Sequence, residues 1–194
     1  MPRRPAAKPL IDSAALRLFV EKGVDGTSVR DVAAEAGVSE GALYRHYESK
    51  DALVWALFAD SFVAFARKLD ALQSAAADTR AKIAAMIRGV CAFHDAEPLL
   101  FRFLLFVQHR QLEKVTPDMP NPIDTIRKVV QAGIAKGDLP AMDPELATAM
   151  CVGLVLQPAT FAAYGRLSGP MLPHADRIAA AAWNALTSQP EGAR

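Results

Sequence analysis

Apolar side chains recur at helical spacing along nearly the whole chain, and no segment alternates convincingly with a period of two. Side chains three and four residues apart lie on one face of a helix, so this pattern predicts an all-α protein. Helix 1 is expected to carry the stripe Ile11, Ala14, Ala15, Leu18 and Phe19 before Gly23, and helix 4 to run from a cap at Ser49 through Leu69. The later segments are expected as helix 5, Asp78 to Asp95; helix 6, from Pro98; helix 7, Ile123 to Lys136; helix 8, Pro144 to Gly165, kinked at Pro158; and helix 9, His174 to Leu186. A loop is expected from Arg110 to Asn121, between helices 6 and 7.

The most specific local signals belong to two short helices that follow helix 1. Ser28 and Asp31 have the spacing of a capping box, which predicts the start of helix 2. Gly37 ends that helix, because glycine accepts the left-handed conformation at a helix C-terminus. Ser39 then caps helix 3, which is expected from Glu40 to about His46. Two helices joined by a short turn with a central glycine predict a helix-turn-helix, whose second helix enters the major groove of DNA.

Several side chains of this stretch suit contacts with DNA. Gly41 and Ala42 lie on the first turn of helix 3, where small side chains allow a close approach, and Ala42 can contact a thymine methyl group. Tyr44 can donate its hydroxyl to a phosphate. Lys50 places an ammonium at the N-terminus of helix 4, where an anion is favoured.

Other residues of the stretch keep two interpretations. Thr27 and Ser28 lie at the start of helix 2, although Ser28 has a sufficient role as a cap. Arg45 is either a DNA contact or a solvated surface residue. Glu40 can repel phosphate, stabilise the N-terminus of helix 3, or accept from a cytosine amine. Tyr47 is expected in the core, covering Leu43 and helix 1.

From roughly Leu10 to Leu53 the chain resembles the TetR family of bacterial transcriptional regulators. The resemblance is carried by Gly23, Thr27, Val32-Ala33, Ala36-Gly37-Val38-Ser39, Gly41-Ala42-Leu43-Tyr44-Arg45-His46-Tyr47 and Lys50-Asp51-Ala52-Leu53. It implies a three-helix DNA-binding head and a six-helix body, and a cytoplasmic repressor without an enzymatic activity or a cofactor. It also implies that Ser39, Tyr44, His46 and Lys50 hold phosphates, and that Arg30 contacts a guanine, which suits its bidentate fork.

Charge and length agree with a small DNA-binding head on a larger body. The 194 residues carry a net charge of +1, and residues 51–194 hold 14 basic and 14 acidic side chains. Arg3, Arg4 and Lys8 form a short basic arm, which either approaches DNA or is only a solvated terminus. We therefore predict a DNA-binding domain over residues 1–48 and an effector-binding and dimerisation domain over residues 49–194.

A second subunit is expected because one short recognition helix reads only a few base pairs. A homodimer on a near-palindromic double-stranded operator supplies the remaining specificity. Small residues in helices 8 and 9 favour them as the interface.

The twenty residues from Leu146 to Gly165 have no formal charge, but Thr148 and Gln157 interrupt them, so we predict a helix buried between subunits and no membrane span.

The body is expected to sense a small, largely apolar effector that shifts helix 4. Aromatic and polar side chains at helical spacing suggest a pocket, although the same stripe is also typical of an ordinary core. The candidate ligand-binding residues are Phe62, Phe65, Met86, Phe93, His94, Phe101, Arg102, Phe106, Gln157, Phe161 and Tyr164.

Two other classes of function receive less support. The four histidines are scattered, and no spacing typical of a hydrolase, a nucleotide-binding loop or a metalloprotease occurs. Cys91 and His94 are one turn apart but have no second pair of ligands, so no metal site is expected. Cys91 and Cys151 lack the CxxC spacing and are expected as reduced thiols. A helical interaction protein whose head does not bind DNA remains the alternative.

Overall fold

The computed structural model describes residues 6–188 and is all-α in that range, as the periodicity predicts. Nine α-helices and two single-turn 3-10 helices occur there, without a strand. The α-helices are α1 Ala7–Lys22, α2 Val29–Glu35, α3 Glu40–Tyr44, α4 Lys50–Ser74, α5 Thr79–Ala96, α6 Pro98–Gln111, α7 Pro122–Lys136, α8 Pro144–Ala163 and α9 Ala175–Thr187; the 3-10 helices are Leu112–Lys114 and Leu172–His174.

The described chain divides into two compact units. The first comprises residues 6–61 and 99–117, and the second comprises residues 62–98 and 118–188. The predicted boundary between residues 48 and 49 marks the end of a sequence motif. The division into compact units follows packing instead, so the predicted boundary stays a prediction.

In the first unit, α1, α2 and α3 pack on one another. Ile11, Ala15, Val32, Leu43 and Leu53 are fully buried there, so each helix contributes its apolar face to one small core. Ile11 and Ala15 belong to the stripe that the sequence predicts for helix 1.

In the second unit, α5 packs on α7, α8 and α9, while α8 packs on both α7 and α9. Ile83, Met86 and Cys151 are among its buried side chains. A Cβ on Gly89 would meet Leu72 Cδ1 at 2.7 Å, so a larger side chain on α5 would require the Leu72 side chain to move.

Most helix ends have a local cause in the sequence. The side chains of Asp78, Asn121 and Asp143 accept backbone N–H groups at the starts of α5, α7 and α8. Gly137 ends α7 in the left-handed conformation, with φ of 80°. The predicted cap Ser49 likewise accepts from the Ala52 N–H at 3.0 Å, and the predicted end at Gly137 and most of the predicted helix limits are confirmed.

The predicted limits are wrong in two places near the ends of helices. Helix 3 ends at Tyr44 and not at about His46, because the N–H groups of His46 and Tyr47 both bond to the Leu43 carbonyl and tighten the last turn. Gly165 lies outside α8, in a left-handed conformation with φ of 71° that ends the helix.

The predicted loop from Arg110 to Asn121 is also wrong at its beginning. Helix α6 continues to Gln111, and the 3-10 helix Leu112–Lys114 follows directly. Gln111 is only 7% exposed, so tertiary packing extends a helix whose last residues look polar in the sequence.

Helix α8 is the one helix in the described range that is long and apolar enough to cross a membrane. Its mean hydropathy is 1.6 over the most apolar window, but only 28% of that window is buried within the chain. Leu146 is 56% exposed and Phe161 is 45% exposed. The helix therefore carries apolar surface that this chain does not itself cover.

Candidate nucleic-acid interface

Helix α2, which supports the turn that follows it, starts at a complete capping box. The Ser28 hydroxyl accepts from the Asp31 N–H at 3.1 Å, and the Asp31 carboxylate accepts from the Ser28 N–H at 2.9 Å, which completes the predicted capping box. These bonds to Ser28 lower the pKa of Asp31. Ser28 thus has a structural role and remains exposed.

The turn between α2 and α3 is a Schellman motif. Gly37 has φ of 66°, and its N–H bonds to the Ala34 carbonyl, while the Val38 N–H reaches the Ala33 carbonyl at 3.0 Å. Ser39 then accepts from the Ala42 N–H at 3.2 Å and starts α3. The turn and both caps follow from these few residues, which explains why the sequence predicts them.

Helix α3 is held by one buried side chain and exposes most of the others. Leu43 is fully buried, whereas Tyr44 is 49% exposed. A Cβ built on Gly41 would meet no atom within 4 Å, so this side of the helix is open. The remaining candidates near α3 are exposed, namely Ser39, Glu40, Arg45 and His46, and Ala42 is half-buried. An accessible helix with small side chains in its first turn, and with aromatic, cationic and imidazole groups nearby, is suited to contact a nucleic acid.

Arg30 and Thr27 differ sharply in their surroundings. Arg30 is exposed on α2, where it is accessible to a macromolecular partner. Thr27 is only 2% exposed, and its hydroxyl lies 2.8 Å from the Gly23 carbonyl oxygen. The Thr27 side chain thus fixes the loop between α1 and α2, and the DNA contact predicted for it stays a prediction.

The Lys50 ammonium is bound to backbone in this structure. It donates to the Val24 carbonyl at 2.8 Å and to the Thr27 carbonyl at 3.1 Å. An ammonium has three N–H groups, so one remains for a phosphate. Sequence reasoning assigned Lys50 to DNA only and missed that it clamps the loop before α2 to the first turn of α4.

The sequence predicts that Tyr47 packs on helix 1 but does not predict the hydrogen bonds that tie α1 to the end of the helix-turn-helix. The Tyr47 hydroxyl donates to Asp12, and the Lys8 ammonium lies 2.9 Å from the other Asp12 oxygen. Hydrogen bonds to Tyr47 and Asp12 raise the pKa of Lys8. Lys8 thus has partners within the protein, while the other predicted arm residues, Arg3 and Arg4, lie outside the described residues. Tyr47 is buried, as expected.

The predicted ligand-binding residues are distributed over both units. Phe65 and Phe93 stack in the second unit with ring centroids 4.6 Å apart, and Met86 lines a cavity there of only about 10 Å³. His94 lies 2.9 Å from Asp95, whose carboxylate also accepts from the N–H of Met171 and of Leu172. In the same unit, Phe62 is half-buried and Gln157, Phe161 and Tyr164 are exposed; Phe101, Arg102 and Phe106 belong to the first unit.

The surroundings of Asp95 explain its ionisation. Burial opposes the charged form, but the hydrogen bonds from His94 and from two backbone N–H groups outweigh it and lower the pKa of Asp95. The carboxylate thereby holds the 3-10 helix Leu172–His174 against the end of α5. His94 has a structural partner here, and its predicted role toward a ligand stays a prediction.

Comparison with known proteins assigns the helix-turn-helix segment to a family. Residues 11–57 match the family model described as bacterial regulatory proteins, tetR family. The repressor KstR2 of Rhodococcus jostii is 49% identical over 45 residues, which cover 23% of this chain and 22% of that protein. The chain spans less than a third of the length of the curated relatives it matches.

Solved structures match over almost the whole chain. The fatty acid degradation regulator FadR from Bacillus halodurans has a TM-score of 0.83 at 18% identity, covering 97% of this chain and 100% of that one. The transcriptional regulator FadR from Bacillus subtilis, solved in complex with stearoyl-CoA, has a TM-score of 0.74 at 17% identity, covering 90% and 97%. At these identities the likeness shows the fold. The relatives are named as regulators, in agreement with a non-enzymatic protein.

Proposed function

Since the chain belongs to the TetR family of bacterial regulatory proteins, we propose that it is a cytoplasmic repressor that binds a near-palindromic operator as a homodimer and is released by a small, largely apolar effector. The observation that carries the DNA-binding part is the open face of α3, which a Schellman turn and the buried Leu43 hold in a fixed position. Sequence-similar relatives named as repressors support the sign of regulation.

The DNA contacts divide into two kinds. Gly41 and Ala42 let α3 approach base edges, and Arg30 presents a bidentate donor to guanine. Tyr44, His46 and Lys50 supply phosphate contacts, which fix the position of the protein but carry no sequence information. Lys50 makes such a contact with its third N–H, while the other two hold the loop before α2.

The homodimer is proposed to form through α8 and α9. Support comes from the exposed apolar surface of α8, including Leu146, and from the exposed small residues Ala149 and Gly153 one turn apart. Small residues allow two helices to approach closely, and burial of the apolar surface drives association. Sedimentation at micromolar concentration tests this, and a monomer there would contradict it.

The effector is proposed to bind within the second unit, among the predicted aromatic residues Phe62, Phe65 and Phe93. A regulator of the same fold was solved with stearoyl-CoA, so a long-chain acyl-CoA is the first compound to try. The effector must bind the DNA-incompetent state more tightly, since otherwise it shifts nothing. Saturated acyl-CoA thioesters of increasing chain length should raise the melting temperature and release DNA; no shift with any of them would contradict an acyl effector.

A comparison of two arginines tests the DNA-binding face. Arg45 and Arg67 are both exposed, but only Arg45 lies beside α3. With DNA from upstream of the gene, Arg45→Ala should weaken binding about tenfold, because a hydrogen bond to a charged group is lost. Arg67→Ala should bind as the wild type does. Equal affinities of all three proteins would contradict the assignment of this face.

A further inference from the structure

A cleft of about 730 Å³ lies within the first unit, apart from the exposed face of α3. Its walls come from the end of α1, the loop that follows, the first turns of α4 and the C-terminal half of α6. This volume is in the range of about 300–1,000 Å³ that small-molecule sites have. Of the predicted effector-binding residues, only Phe106 lines it.

The inner wall of the cleft is aromatic and apolar. Phe19 and Phe103 stack with ring centroids 6.1 Å apart and an angle of 19° between the rings. Val54 is buried beside them, whereas Phe106 keeps 42% of its surface exposed. Aromatic rings offset against other rings gain more than their buried area alone provides, so this wall favours a flat aromatic ligand.

Gln111 adds a polar group without a partner among residues 6–188. The residue lines the cleft and is only 7% exposed, and its Oε1 is buried without a hydrogen bond to any described residue, so a ligand in the cleft reaches this oxygen once the Gln111 amide turns toward the cleft. An acceptor buried without a donor is unfavourable, so the cleft favours a molecule that brings an N–H or an O–H. This is a specific requirement, because a purely apolar ligand would leave the acceptor unpaired.

Acidic and basic side chains line the cleft in equal numbers. The acidic residues are Asp25 and Asp51, and the basic residues are Arg110 and Lys114. Arg110 lies 3.4 Å from Asp25, and the Lys114 ammonium lies 5.7 Å from the centroid of the Trp55 ring. Because both cations have partners and the acidic and basic groups are equal, the cleft favours an uncharged ligand over a phosphate or a carboxylate.

We propose that this cleft binds a small, uncharged aromatic molecule that donates a hydrogen bond to Gln111 Oε1, as a phenol or an indole does. The site lies in the first unit and is separate from the proposed effector pocket. Val24 lines the cleft, and its carbonyl accepts from Lys50, so a bound molecule touches the loop that leads into α2. The proposal requires neither an operator nor an acyl effector, so it stands or fails independently of the proposed function.

The test compares β-naphthol with its methyl ether, which keeps the rings but lacks the donor. Binding is followed on the isotope-labelled full chain by the shifts of backbone amide resonances. We expect β-naphthol to shift amides of residues 19–25 and 103–111 and to bind about tenfold more tightly than the ether. Gln111→Met should remove this preference, whereas Gln108→Met, a matched change in α6 outside the cleft lining, should retain it.

Three outcomes would overturn the proposal. The first is the absence of shifts in these segments at millimolar β-naphthol. The second is equal or tighter binding of the methyl ether. The third is an unchanged preference in Gln111→Met. If that variant does not fold, which its circular dichroism would show, the comparison of the two ligands on the wild-type protein still decides.

Discussion

Helices α3 and α8 both leave much of their surface to the solvent, but the exposed groups have opposite chemistry. Helix α3 has five residues, is held by Leu43, and lies among exposed polar and cationic side chains. Helix α8 has twenty residues and exposes Leu146 and Phe161. A short polar helix on a fixed turn suits a nucleic acid, whereas an uncovered apolar helix suits a protein surface. One chain can therefore carry two interfaces, which single substitutions should affect separately.

The largest effect is expected from a charge placed on α8. Gly153 is exposed, and a Cβ there would meet no atom within 4 Å, so the single chain accommodates a side chain. Gly153→Arg should therefore keep the helical fold but weaken the dimer by about a hundredfold or more, because a buried unpaired charge costs several kcal/mol. Sedimentation measures this. Gly153→Ala should remain dimeric, and a dimeric Gly153→Arg protein would place the interface elsewhere.

A second change separates the support of α3 from its exposed face. Leu43→Ala should cost about 2–5 kcal/mol in the free energy of unfolding of the first unit, because it leaves a cavity in a fully buried site. Tyr44→Ala, the adjacent exposed position, should weaken DNA binding with little loss of stability. Thermal unfolding and DNA titration measure both. Equal stability losses for the two variants would contradict the burial pattern of α3.

A smaller effect compares helix caps in the two regions. Ser28 caps α2 and Asp143 caps α8, each through a side chain that accepts a backbone N–H. Ser28→Ala and Asp143→Ala should each lower the free energy of unfolding by about 1 kcal/mol. Only Ser28→Ala should also weaken DNA binding, since α2 supports the turn before α3. Urea unfolding and DNA titration test this; weaker DNA binding by the Asp143 variant alone would reverse the assignment.

The smallest effect is expected at high pH. Burial, followed by the hydrogen bond to Asp12, raises the pKa of Tyr47 to about 12. Because the folded pKa lies above the unfolded value of about 10, the stability from this phenol is complete below pH ~10 and is lost as the pH rises through ~12. The difference in free energy of unfolding between wild type and Tyr47→Phe should shrink across that window. A constant difference would contradict the buried phenol.

The sequence predicts the helix-turn-helix well because its determinants are local. The Ser28 and Asp31 pair, Gly37 and Ser39 act within four residues of themselves, and each appears in the structure as predicted. The role of Lys50 in the fold, in contrast, does not follow from local sequence. Its ammonium bonds to the Val24 and Thr27 carbonyls, more than twenty residues earlier, and no local pattern predicts those hydrogen bonds.

The body was predicted only in outline because apolar periodicity does not distinguish a core from a pocket. Met86 and Phe93 fit the helical stripe and are buried, but the stripe does not say whether they face a ligand. Gln111 shows the same limit at a polar position. It stands near the start of the segment predicted as a loop, Arg110 to Asn121, yet tertiary packing buries it at the end of α6.

DNA binding is measured by fluorescence anisotropy of the full chain on DNA from immediately upstream of its own gene. A scrambled duplex and several salt concentrations provide the controls. We expect tight binding to the upstream DNA alone, weakening steeply with salt, with a logarithmic slope of about −0.9 per phosphate contacted. Absence of binding to either duplex at low salt would contradict it and favour a helical interaction protein whose head does not bind DNA.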